Sequence, residues 1–178
     1  MGRTDLLGLL HLEGQGVDGD DLAGAGEFRG APAQEVTYTA LENPVQVVIP
    51  CDGQFAPPRG VNGGHNGTPG STHLIDHNGV VTKLPNLVNM HIRKDQHIRG
   101  RDSSGGGYGD PLTRDTQRVL TDVLEGYESI AKAQEIYGVV FTGRIDDDSL
   151  AVDAGATRTR RAELAARADV AGLKPAAE

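Results

Sequence analysis

Tryptophan is absent from this chain, and its three Phe and four Tyr amount to 4% of 178 residues. Aromatic side chains supply much of the buried area of ordinary cores. Only 37% of all residues are apolar, so the core is thin for a length at which a domain buries roughly 70% of its unfolded surface. Such a chain leans on a neighbour for part of its burial. Cysteine occurs once, at Cys51, which excludes an internal disulfide and fits a reducing cytoplasm. No apolar run approaches the ~20 residues needed to span a bilayer. The leucines near the start (Leu6, Leu7, Leu9 and Leu10) are interrupted by Gly8 and followed by His11. No small-residue cleavage site follows them, so no signal peptide is read. Basic residues number 17 against 25 acidic ones, a net charge of −8. That balance supplies no basic face for a polyanion, which argues against nucleic acid as a partner. A soluble cytoplasmic protein with no membrane segment is expected.

What the chain has instead is glycine, 25 residues of it, and its organisation turns on Asp102-Ser103-Ser104-Gly105-Gly106-Gly107-Tyr108-Gly109-Asp110-Pro111. Upstream, Thr4 to Glu13 is leucine-rich with helix or strand open, and Gly14 to Gly26 reads as an acidic loop. Val36, Tyr38 and Ala40 alternate with Glu35, Thr37 and Thr39 as a half-buried strand. Val45 to Ile49 is continuous and β-branched, predicting a more buried strand. Cys51 to Gly70 is a long Pro/Gly loop, of a length usually tied to function or an interface. Asn78-Gly79 between apolar runs predicts a hairpin, and Leu87 to Arg93 and Gln96 to Gly100 add strand material. Downstream, Asp110-Pro111 is a helix-start signal. Helices are predicted from Asp115 to Gly126, from Ser129 to Gly138, and from Ser149 to Ala171, with a short strand at Val139–Thr142. The fold class is therefore α+β, a mainly antiparallel β core over about residues 27–100 with C-terminal helices. Three segments are expected: an N-terminal extension (1–26), a β-rich domain (27–110) and a helical segment (111–178).

The residues present no convincing catalytic set. Gly64 to Gly70 and Gly105 to Gly109 resemble phosphate cradles, but neither carries a P-loop Lys-Ser/Thr or a dinucleotide-type Gly-x-Gly-x-x-Gly between strand and helix. His73, Asp76 and His77 are the most metal-like cluster, yet on a strand Asp76 faces away from the two histidines. They stay an alternative, a stand-alone metal-dependent hydrolase, with no metal ligand assigned. Cys51 stands beside Asp52, whose negative charge opposes a reactive thiolate. No Gly-x-Ser-x-Gly elbow surrounds Ser71, Ser103 or Ser104. A non-enzymatic β-rich interaction module is a further alternative.

An ordered set of motifs adds to this. Gly24-Ala25-Gly26-Glu27-Phe28-Arg29-Gly30-Ala31-Pro32 precedes the strands. Then come Phe55-Ala56-Pro57-Pro58-Arg59-Gly60-Val61-Asn62-Gly63-Gly64, Gly67-Thr68-Pro69-Gly70 and Lys83-Leu84-Pro85. Gly105 to Pro111 and Glu135-Ile136-Tyr137-Gly138-Val139-Val140 close the series. In this order, over about residues 20–142, the chain resembles the C-terminal part of the hydantoinase B/oxoprolinase family. That family includes B subunits of N-methylhydantoinases, the matching half of 5-oxoprolinase, and subunits of acetone and acetophenone carboxylases. Its members are several times longer, and their metal-ligand region is N-terminal to the resembling part. Thr72-His73-Leu74-Ile75-Asp76 mimics that region's motif locally but stands where the family has a hairpin, so no ligand role is carried over. The resemblance implies a separately made module of a B-type subunit, working with larger A-type (ATP-binding) and B-type chains. ATP and a divalent metal would then belong to the partners, with no cofactor bound by this chain. The implied chemistry is ATP-dependent cyclic amide hydrolysis or ketone carboxylation, with no catalytic residue assigned here. Arg59, Asn62, Gly63, Gly64, Gly105, Gly106, Gly107, Tyr108 and Asp110 are the expected binding or interface residues. Arg59 and Tyr108 are the side chains suited to specific contacts.

Overall fold

The computed structural model describes residues 10–17, 23–41 and 44–170. These fall into two compact units. One holds Leu10–Val17, Pro32–Pro58 and Thr68–Ser104, and the other holds residues 23–31, Arg59–Gly67 and the described residues from Gly105 onward.

The first unit is β apart from one 3₁₀ turn, Asp52–Gln54. Strands β1 (Leu10–Val17), β2 (Gln34–Ala40), β4 (Ser71–Ile75), β5 (Val81–Lys83) and β7 (His97–Arg101) form one sheet in the order β1-β2-β7-β4-β5. Strands β3 (Val45–Pro50) and β6 (Leu87–Ile92) form a separate two-stranded sheet. Every ladder is antiparallel, as the α+β expectation requires. The β content begins earlier than residue 27, because Gly14 to Val17 continue β1 rather than starting a loop. The leucine-rich segment is thus strand from Leu10, and its earlier part lies outside the described residues. The hairpin forms as expected. Asp76 Oδ1 accepts from the Asn78 and Val80 amides at 2.8 and 2.9 Å, and Gly79 sits at φ +80°, a conformation glycine enters without a Cβ penalty.

Ala40, Leu84, Ile92 and Ile98 are the buried centre of this unit, with Val45, Val47, Ile49, Val88 and Met90 packed against them. Val45–Ile49 is not the more buried strand that its sequence predicts. The strand alternates, and Val48 is 61% exposed. A continuous β-branched run suits a strand covered on both faces, but a two-stranded sheet covers only the inner face, so every second side chain points out.

In the second unit, α1 (Thr116–Leu124), α2 (Ile130–Glu135), the short pair β8 (Phe141–Thr142) and β9 (Ala151–Val152), and α3 (Ala154–Val170) surround a core of Val119, Val123, Ala133, Tyr137, Val139 and Leu150. The caps explain the starts. Asp115 accepts from the Gln117 and Arg118 amides, both at 3.0 Å, and Ser129 accepts from Lys132 at 3.1 Å. These bonds satisfy N–H groups that lack intrahelical partners. Asp110-Pro111 starts only a single 3₁₀ turn, Pro111–Thr113, before α1 begins at its own cap. Gly126 and Gly138 end α1 and α2 at φ +75° and +63°, as the sequence signals. The third helix starts later than Ser149, because β9 takes Ala151 and Val152 to pair with β8, and Asp153 then accepts from the Ala156 amide at 2.9 Å.

Candidate functional site

Three glycine-rich pieces of the second unit lie side by side, 24–31, 59–65 and 105–109, with the last between the other two. Phe28 and Tyr108 exchange backbone hydrogen bonds at 3.0 and 2.9 Å, and the Gly24 amide donates to the Gly105 carbonyl at 2.9 Å. On the other side, the Val61 amide donates to the Gly107 carbonyl and the Gly109 amide to the Val61 carbonyl, both at 3.0 Å. The Gly107 amide donates to the His65 carbonyl at 2.9 Å. The segments approach main chain to main chain. A methyl group on Gly107 would overlap the Ala25 carbonyl, and one on Gly106 the Arg59 carbonyl. Glycine is required there by close approach, and the approaching backbone belongs to this chain itself.

The crossing sorts the expected residues. Gly105, Gly106, Gly107 and Gly64 sit within it, against backbone of the neighbouring pieces. Tyr108 is half-exposed, and its hydroxyl accepts from Asn62 Nδ2 at 2.8 Å. Its ring tilts against Phe28 at 6.4 Å. Asn62 and Gly63 hold positive φ, +51° and +91°, a region that Asn tolerates better than most side chains. Asn62, Gly63 and Asp110 share a cleft of about 350 Å³ with His65, Glu135 and Leu164. Asp110 Oδ1 also caps the 3₁₀ turn through the Leu112 amide at 2.9 Å. Arg59 is exposed. The crossing thus brings Asn62 to Tyr108 and sets Asn62, Gly63 and Asp110 around one cleft.

A buried charge network near this crossing is missing from the sequence-based expectations. Asp122, on α1 between Val119 and Val123, receives Arg29 Nε at 2.9 Å and an Arg114 terminal nitrogen at 2.7 Å. Arg114 also donates to the Glu27 carbonyl at 2.9 Å. Glu128 accepts from the Tyr137 hydroxyl at 3.1 Å and pairs with Lys132 at 2.8 Å, while Lys132 reaches the Ala23 carbonyl at 2.8 Å. Arg161 of α3 donates to the Tyr137 and Arg114 carbonyls at 3.0 and 2.6 Å. Arg160 donates to the Gln134 carbonyl at 3.3 Å. The Gln134 and Tyr137 carbonyls lie around the end of α2, where the backbone lacks helical partners, and the Arg114 carbonyl at the end of the 3₁₀ turn. The signal for Asp122 was present: a carboxylate on a buried stripe at helical spacing demands a buried cation.

Burial, reinforced by the neighbouring Glu128 charge, raises the Tyr137 hydroxyl well above its ordinary pKa of 10.0. The folded state thus keeps a proton that the unfolded chain releases above pH 10, so its stability contribution is complete below that pH and declines above it. Unfolding free energies measured by urea denaturation between pH 9 and 11.5 should fall by at most about 1.4 kcal/mol per pH unit from this group. Tyr137→Phe should flatten that limb.

The metal alternative finds its residues dispersed in role. His73 is half-buried within β4, His77 is exposed in the turn, and the Asp76 carboxylate is occupied by two amides. Among the described residues no group of three or more His, Cys, Asp or Glu side chains gathers as a metal site. Ser104 is buried, with its hydroxyl accepting from the Thr68 amide at 2.7 Å. No described helix is long and apolar enough to cross a membrane.

An antiparallel β unit and a helical unit whose own glycine segments cross define an α+β module, with a cleft lined by Asn62, Gly63 and Asp110 in the second unit. The chain belongs to the hydantoinase B/oxoprolinase family, whose model matches residues 17–111. It is 32% identical over 149 residues to the caprolactamase beta subunit of Pseudomonas jessenii, covering 75% of this chain and 24% of that one. It is also 32% identical over 127 residues to the B-type chain of a putative D-/L-hydantoinase of Pseudomonas sp. (strain NS671), covering 69% of this chain and 21% of that one. The crystal structure of the ATP-dependent caprolactamase from Pseudomonas jessenii superposes with a TM-score of 0.65 at 27% identity, over 86% of this chain and 26% of that chain. A nucleotide-free acetone carboxylase shares the fold, with a TM-score of 0.66 at 22% identity over 92% of this chain and 25% of that one. The chain spans about a quarter of the length of the relatives it matches.

Proposed function

We propose that this chain is a module of a B-type subunit in a cytoplasmic, ATP-dependent complex that hydrolyses a cyclic amide. ATP and a divalent metal are handled by larger A-type and B-type chains, and this chain completes the B-type fold without supplying the reacting groups. The observation that carries it is the 149-residue, 32% match to the caprolactamase beta subunit. Amide hydrolysis is preferred to ketone carboxylation because both relatives at 32% identity carry amidase names, whereas the acetone carboxylase likeness is one of fold. Asn62, Tyr108 and Asp110 at the glycine crossing are the groups proposed to meet the partner, with the exposed Arg59 beside them in sequence.

The test is native mass spectrometry of the tagged chain purified from its own host, followed by ATP turnover of the complex. Two larger co-purifying chains, and phosphate release stimulated by a cyclic amide, are expected. Stimulation only by a ketone with bicarbonate would overturn the choice of amide.

A further inference from the structure

Resting on the assignment to a B-type assembly, we propose that the free edge of β3 accepts a β-strand from the larger B-type polypeptide. A two-stranded sheet is marginal on its own, and among the described residues β3 pairs with β6 alone. Neither strand carries an Asp, Glu, Lys or Arg: β3 reads VQVVIP and β6 LVNMHI. Edge strands that must stay unpaired are usually short, charged, bulged or interrupted by proline; β3 has proline only at its last position, Pro50, and Val45–Ile49 keep their amides. The contrast lies in the same unit, where edge strand β5 is three residues long and carries Lys83.

A groove of about 470 Å³ supplies the second observation. Residues 46 to 50 of β3 all line it, facing Tyr38, Thr72 and Ile98 of the five-stranded sheet. Successive strand residues point to opposite faces, so a groove that touches five in a row runs along the backbone edge. It therefore presents β3 amide and carbonyl groups with no partner among the described residues beside Tyr38, Ile92 and Ile98, with Arg101 and Asp102 also in its lining. The occupant this fits is an extended segment, bonding through its main chain and seating alternate apolar side chains in the groove. The match occupies only 24% of a relative such as the caprolactamase beta subunit, so B-type sequence beyond it is ample to supply such a strand.

Hydrogen–deuterium exchange of the full chain, alone and in the complex with the co-expressed larger B-type chain, tests this. The outward-facing amides of residues 45–49 should exchange about tenfold or more slowly in the complex, with β5 amides unchanged. Val48 is 61% exposed and Val81 55%, so a lysine at either should leave the free chain folded. Val48→Lys should weaken the complex by about tenfold or more, and Val81→Lys should not. A complex that forms with β3 amides exchanging as in the free chain, or that tolerates Val48→Lys, overturns the inference and leaves the B-type assignment standing. A wild-type chain that binds no B-type chain overturns both. A homodimer with β3 protected would make a second copy the occupant and likewise overturn it.

Discussion

Asp122→Ala should be the most damaging single side-chain deletion in the helical unit, costing about 3–5 kcal/mol. The side chains of Asp122 and Arg114 are each 8% exposed, and Arg29 is 18% exposed. Removing the carboxylate leaves two guanidinium groups facing each other with little water to screen them. Replacing a buried pair by apolar groups is often neutral, but removing one partner leaves an uncompensated charge. Against a typical total of about 5–15 kcal/mol, that loss is large. The melting temperature should fall by roughly 6–20 °C, at about 2–4 °C per kcal/mol for a protein of this size. Adding Arg114→Met to Asp122→Ala should recover part of the loss, because the two sites share one interaction. Urea denaturation of the three variants measures this, and a loss below about 1 kcal/mol for Asp122→Ala would mean that water compensates the arginines.

Gly107→Ala should cost about 3 kcal/mol, at the upper end for overpacking. The added methyl meets the Ala25 carbonyl, which is backbone and cannot swing aside as a side-chain tip would. Relief requires separating the three segments, which weakens the bonds of Gly107 to Val61 and His65 at 3.0 and 2.9 Å, each contributing about 1 kcal/mol. Gly100→Ala is the contrast. It lies in β7 with nothing within 4 Å of an added Cβ, so the change should stay within about 1 kcal/mol of neutral. Equal effects at the two positions would show that the Ala25 backbone yields to the added methyl and that close approach does not require glycine there.

Local chemistry was the most legible part of this sequence. Asp115 and Ser129 cap, Gly126 and Gly138 stop, and Asn78-Gly79 turns where the residue types require it. What stayed hidden depends on what comes alongside. The run Val45–Ile49 does not say whether a second layer covers its outer face, and one face is open. The start of α3 was displaced because Ala151 and Val152 found a strand partner in Phe141 and Thr142, against their helical context. At the site, the glycine-rich motifs are legible in the sequence, but not that residues 24–31 and 59–65 of the same chain pack their backbone against 105–109. Asp122 needs Arg29, 93 residues away, and no spacing rule reaches that far.

The proposal that this chain completes a B-type subunit is tested most directly by weighing the native assembly that its tagged form brings from its own host. Two larger chains bound with ATP hydrolysis stimulated by a cyclic amide are expected, and a lone, well-folded monomer without ATPase activity would contradict the account.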